Sequence, residues 1–349
     1  MDTFFKILLV FVPLTIGAEF AGVSPVLVFF LAAVSIIPLA KFIGEATEEL
    51  SSRTNPAIGG LLNATFGNAP ELIIGLFALN AGLVEVVKAS ITGSIVGNLL
   101  LVLGGAMFAG GWGKDKQNFN RTGALAGGST LFLAVIALVV PAIFVITAPG
   151  VGDQTVENLS VFVSLALLLM YGASLIFSLH THKHLYVESE VAKFEPKWSL
   201  AKSIGVLLVA TLAVAWVSEI LVGSIEPLVA SFGWTQLFVG VIFVAIIGNA
   251  AEHYSAITVA LKNRMDLALG ITIGSAAQIA MFAAPVLVLA SLALGHPMNL
   301  VFNLFELVSI VVSVLIVNMI VQDGESNWLE GAQLLAAYVI VALAFFFHP

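Results

Sequence analysis

Two short stretches decide how this chain reads: FGNAPELII at Phe66–Ile74 and IGNAAEHYS at Ile247–Ser255. Each sets a glutamate, Glu71 or Glu252, into the pattern Gly-Asn-Ala-x-Glu within an apolar window. Sliding the chain by 181 residues aligns 45–94 with 226–275 without a gap, and ten of those fifty positions are identical. The identities cluster. Gly67, Asn68, Ala69 and Glu71 match Gly248, Asn249, Ala250 and Glu252, while Gly93-Ser94 matches Gly274-Ser275. Glu45 and Gly59 also match Glu226 and Gly240.

The composition fixes the solvent in which this repeat works. Of 349 residues 60% are hydrophobic and only 10% charged, with a mean hydropathy of +1.08. Soluble domains carry about 25% charged residues, so too little polar surface exists here to coat a water-soluble globule. An all-α polytopic membrane protein is expected. The absence of cysteine excludes a disulfide framework, a cysteine zinc site and a thiol nucleophile. A net charge of −8 argues against nucleic acid as a partner. The apolar start, Met1–Phe20, shows no small-residue cleavage site and reads as a first helix rather than a signal peptide.

A spanning helix needs about 20 mostly apolar residues, and eleven windows qualify, near 4–20, 23–43, 57–82, 87–110, 123–147, 157–179, 200–223, 235–262, 266–290, 300–322 and 329–348. With eleven spans, twelve of the thirteen lysines and arginines fall on the N-terminal side and only Lys88 on the other. Lys and Arg accumulate on cytoplasmic loops, which predicts a cytoplasmic N-terminus and an extracytoplasmic C-terminus. In this count the third span corresponds to the eighth and the fourth to the ninth. Partners lie five spans apart, so they run in opposite directions. The expected layout is an extra N-terminal helix (1–22), a five-helix repeat (23–179), a cytoplasmic linker (180–199) and a second, inverted five-helix repeat (200–349). Inverted repeats are a signature of secondary transporters, which bind cargo near the midplane where the halves meet.

The motif residues suggest the cargo. A carboxylate at mid-span costs at least about 2.5–3.5 kcal/mol on insertion scales, unless it is protonated, ion-bound or facing water. Gly67 and Gly248 let backbone approach closely, and Pro70 disrupts the turn before Glu71 and frees carbonyls. Asn68 and Asn249 lie about one helical turn before the glutamates, an offset that puts amide and carboxylate on one face. Carboxylates, amide oxygens and carbonyls make an oxygen cage, the preference of hard cations and of calcium above magnesium. No thiolate or imidazole cluster invites a softer metal. Burial raises a carboxylate pKa and a bound cation lowers it, so protons and a divalent cation compete for the same oxygens. That competition is antiport by mutual exclusion.

GGLLNATFGNAPELI and VAIIGNAAEHYSAI, followed by GSIVGNLLLVLG and IGSAAQIAMF, resemble the two signature repeats of the calcium/proton exchangers, a branch of the calcium/cation antiporter superfamily. The resemblance covers spans 2 to 11. It implies Ca2+ and H+ as transported ions, no cofactor, no enzymatic activity, and Glu71 and Glu252 as the central cation- and proton-binding pair. Asn68 and Asn249 enter as supporting ligands or structural partners. Ser94 and Asn98 in one half, with Ser275 and Gln278 in the other, join them. Asn98 and Gln278 are out of register by one, because 98 plus 181 gives Ile279. Backbone carbonyls around Ala64–Gly67 and Ala245–Gly248 are further ligand candidates.

Other residues carry weaker signals. His253 can relay a proton for Glu252 or simply be satisfied by a neighbouring helix. Glu45 and Glu48, with Glu49, lie at one mouth and Glu226 at the other, where carboxylates attract cations or are merely solvated. Glu219 and Glu306 fall near span ends as secondary candidates. His180, His182 and His184 resemble a metal tract, although a solvated linker reads better. A sodium/calcium exchanger on the same fold would carry hydroxyl-rich GTS-PE motifs, and Gly-Asn-Ala here has no hydroxyl, which favours the proton. A broader divalent (manganese)/proton antiporter is the other alternative on this fold. An intramembrane hydrolase gives no reason for inverted symmetry, and a passive channel needs no titratable pair. Lack of disulfides and targeting peptides fits a prokaryotic plasma membrane.

Overall fold

A computed structural model describes residues 3–54, 56–182 and 196–348, with the side chains at 56, 57 and 64 excepted. His184 and the linker charges Lys183, Glu188, Glu190, Lys193 and Glu195 lie outside the described residues.

Eight helices among the described residues are long and apolar enough to cross a membrane: α1 (Thr3–Phe20), α2 (Pro25–Ser51), α5 (Val84–Gly111), α6 (Arg121–Thr147), α7 (Asp153–Thr181), α8 (Leu200–Phe232), α11 (Met265–Leu294) and α13 (Trp328–Phe347). A ninth is a pair bent by 60°, α9 (Gln236–Gly248) and α10 (Ala250–Leu261). Shorter apolar helices are α4 (Ala69–Asn80), which follows α3 (Pro56–Phe66), and α12 (Leu304–Ile320). Leu169, Leu212, Met319 and Ile340 project outward from the bundle, as lipid-facing side chains do. The protein is an integral, multi-pass membrane protein.

The window expected at 57–82 is not one continuous helix. It breaks at Gly67-Asn68, where Asn68 leaves helical geometry (φ −102°, ψ 18°) and Pro70 opens α4. Proline has no amide to donate and is pre-shaped for a first turn. The α9–α10 bend falls on the equivalent residue, Asn249 (φ −91°, ψ 10°). Wider π turns interrupt α5 at Gly97–Val102, α9 at Val239–Val244 and α11 at Ile279–Ala283. One small departure from an all-helical chain is an antiparallel pair, β1 (Gln117–Asn118) with β2 (Glu325–Ser326), joining two loops beside the Lys116–Glu325 ion pair.

Packing brings the broken helices together at the centre. Helix α2 lies along α8, α5 crosses α9 and α10, and α11 lies against α4. Glycine permits the closest crossing: a Cβ on Gly93 would lie 2.0 Å from the Val241 carbonyl oxygen, and one on Gly240 would lie 2.5 Å from the Ala89 Cβ. Small residues at such crossings let backbones touch where no hydrophobic effect drives helices together.

Candidate functional site

The two breaks meet in one buried polar cluster. Asn68, Asn249, Ser94, Asn98 and Ser275 are each at most 7% exposed. Asn98 donates through Nδ2 to the Asn249 Oδ1 at 2.9 Å and to the Ser275 Oγ at 3.0 Å. Asn249 in turn donates to the Ser94 Oγ at 2.8 Å. On the other side, Asn68 donates to the Gln278 Oε1 at 2.7 Å. Thus each break asparagine bonds an amide side chain of the opposite half, despite the one-residue offset between Asn98 and Gln278. A polar group inside the bundle is stable only with its hydrogen bonds made, and here the partners come from the other motif.

These bonds revise the simplest reading of the asparagines. Neither occupies an ordinary helical turn above its glutamate, because each is the break itself. The Asn249 amide oxygen is engaged by Asn98 and Ser275. In this conformation the asparagine fixes the crossing rather than offering a free ligand. The Ala245 carbonyl, a candidate backbone ligand, accepts from both the backbone N–H and the side-chain amide of Asn249. Ala64 lies within α3, and Gly67 donates its N–H to the Asn63 carbonyl at 2.8 Å.

Glu71 stands in the first turn of α4 with both carboxylate oxygens buried and without a hydrogen-bond partner. Its side chain lies against Gly248 of the opposite motif, where an added Cβ would come within 3.1 Å of Cγ and 3.4 Å of Oε1. Leaving a carboxylate so placed is costly unless a proton or a cation satisfies it. Glu252 differs. It lines a cavity of about 530 Å³ with Glu45 and Glu48 from α2, Gly67 and Pro70 from the first break, Gly248 from the second, and Ser255 from α10. The access-path carboxylates expected on α2 therefore share one vestibule with the second glutamate.

Other candidates fall elsewhere. Glu226 is exposed on the far part of α8, and His253 is not among the vestibule-lining residues. Glu306 is buried in a capping box with Asn303 and accepts from the Thr92 hydroxyl at 3.0 Å, so its oxygens are committed to structure. Glu49 accepts the backbone N–H groups of Lys197 and Trp198, which pins the returning linker to the end of α2. His180 and His182 lie at the end of α7, and among the described residues no three metal-ligating side chains gather.

Sequence reasoning counted Lys41 only as an orientation charge, yet it lines the vestibule. Its spacing carried the signal: Lys41, Glu45 and Glu48 sit four and three residues apart, on one helical face.

The chain matches the family model described as Sodium/calcium exchanger protein over residues 24–180 and 202–347. It is 51% identical to the Ca(2+)/H(+) antiporter of Synechocystis sp. (strain ATCC 27184 / PCC 6803 / Kazusa), with 99% of this chain and 97% of that protein aligned. It is 48% identical to the Ca(2+)/H(+) antiporter ChaA of Bacillus subtilis (strain 168), with 98% of each covered. Among solved structures, native YfkE superposes with a TM-score of 0.87 at 45% identity, covering 99% of this chain and 100% of that one.

Proposed function

This chain belongs to the sodium/calcium exchanger protein family, in its calcium/proton exchanger branch, and from that premise we propose that it exchanges Ca2+ for H+ by alternating access. The observation that carries the reading is the unequal placing of one duplicated carboxylate: Glu71 against Gly248 with its oxygens buried and unpartnered, Glu252 lining an acidic vestibule. Two carboxylates so close to the same crossing hold either protons or one divalent cation. With no third acidic or imidazole ligand gathered among the described residues, amide and backbone oxygens complete the cation's shell.

An eleven-span inverted layout is the arrangement that fits this cycle. Eight long helices and the bent pair account for up to nine spans among the described residues, and on this reading α3–α4 and α12 are two more. The family model matches two separate stretches, and the packing pairs α2 with α8, and each broken helix with the helix after the other break. The lysine and arginine bias supports a cytoplasmic N-terminus and α2 mouth, and with them a cytoplasm-facing conformation. The setting is a bacterial plasma membrane. The motif positions lack the hydroxyls of a sodium site, and the relatives described above carry calcium/proton names.

The test uses purified protein in sealed vesicles with an imposed pH gradient and no sodium. Calcium uptake driven by that gradient, and lost in Glu71→Gln and Glu252→Gln, is the expected result. Uptake that needs a sodium gradient and ignores pH contradicts it.

A further inference from the structure

Behind the wall of the calcium vestibule lies a second crevice. Helix α11 separates the two: Leu267 and Ile271 face the vestibule, while Asp266, Gly270, Ile273 and Gly274 line the crevice. One part, about 280 Å³, is lined by Asn120 and Asp266 at the starts of α6 and α11. A second part, about 160 Å³, shares Gly127, Ser178, Ile273 and Gly274 with it and includes Gln278 in its lining. A water needs about 10–15 Å³ of such volume, so a file of several waters fits along it.

The chemistry of the walls differs from that of the vestibule. Three carboxylates line the vestibule. The crevice has only Asp266, at its mouth, which already accepts the Asn120 backbone N–H. Inward of it come the hydroxyls of Ser178, Thr130 and Ser174, then Tyr171 and the Gln278 amide. The Tyr171 hydroxyl is buried without a hydrogen-bond partner, in a residue only 7% exposed. A buried hydroxyl is costly unless something bonds it. A divalent cation would shed its hydration here with no charged oxygen to replace it, whereas a proton moves along water and hydroxyls without desolvating an ion. At the inner end, Gln278 holds Asn68, the residue from which α4 and Glu71 start.

We propose that this crevice is a separate aqueous route for protons, joining the Asp266 mouth to the glutamate site and closed at its inner end by the Asn68–Gln278 hydrogen bond. Calcium uses the vestibule and protons use the crevice, on opposite faces of α11. The proton enters as hydronium and leaves its water behind on reaching a carboxylate, so charge and atoms balance without another reactant. This inference rests on the calcium/proton reading above.

Two glycines make it testable. A Cβ at Gly270 or Gly274 meets nothing within 4 Å, so the side chains of Gly270→Leu and Gly274→Leu start in open space and project into the crevice. In reconstituted vesicles, pH-driven calcium flux should fall about tenfold, while calcium-for-calcium exchange at equal pH stays within about twofold. Retention of both fluxes, or their loss together, overturns the proposal. The chain has no cysteine, so Gly270→Cys and Ser178→Cys report water access directly. Both should react with a membrane-impermeant thiosulfonate from the Asp266 side, and failure to react overturns the route whatever the flux assays give. A wild-type protein with no pH-driven flux but reactive cysteines would instead count against the exchange reading.

Discussion

The two halves repeat a motif but do not repeat its surroundings. Asn249 bonds Ser94, Asn98 and Ser275, and its counterpart Asn68 counts Gln278 among its partners. Glu252 lines the vestibule, whereas Glu71 has both carboxylate oxygens buried and unpartnered. Equal sequence in unequal settings is what the proposed alternating-access cycle expects of a single state. If the halves trade conformations, the opposite state has Glu71 lining a vestibule and the Glu252 oxygens buried.

The sharpest way to break the comparison is to remove either carboxylate. Glu71→Gln and Glu252→Gln should each lower pH-driven calcium flux at least about a hundredfold, roughly 3 kcal/mol. A large loss in only one variant would show that the pair is not shared. Apparent calcium affinity in the wild type should weaken as pH falls, because protons take the same oxygens; radioactive calcium binding measured across pH checks that sign.

Accessibility is the next largest effect. Ser255 lines the vestibule, and its repeat equivalent, Ile74, is 2% exposed. In this state Ser255→Cys should label faster than Ile74→Cys by about tenfold or more, since minor states are typically populated at 0.1–10%. Conditions that favour the opposite state should reverse the order, read by mass spectrometry of the labelled protein.

Stability should follow the hydrogen bonds that join the two halves. Each buried group left unpaired costs about 1–3 kcal/mol, so Asn249→Ala and Asn68→Ala should each lower the thermal midpoint in detergent. The smallest effect is expected at Gly248→Ala, whose methyl would press on the Glu71 side chain 3.1 Å away. Apparent calcium affinity should fall roughly fivefold, about 1 kcal/mol, in an equilibrium binding assay with the fold intact.

Much of this was legible in the residues. A 60% hydrophobic chain bounds the environment, and the duplicated Gly-Asn-Ala-x-Glu marks the residues that gather at the centre. The helix break at Asn68 was half visible, because Pro70 disfavours a continuous turn but does not say which residue leaves helical geometry. The partners of the asparagines were not legible. Sequence spacing relates residues along one helix, whereas Asn98–Asn249 and Asn68–Gln278 are bonds between halves, set by helix packing. The π turns at Gly97 and Ile279 have no hydropathy signature at all, and the role of Lys41 emerges only once α2 is seen to wall the vestibule.

The central claim is that calcium and protons compete for Glu71 and Glu252. Titrating calcium into purified protein in weakly buffered solution, with a pH indicator reading proton release, tests it most directly. The account predicts protons released on calcium binding, fewer in either single glutamine variant and none in the double variant. Calcium binding of unchanged strength with no proton release would contradict it.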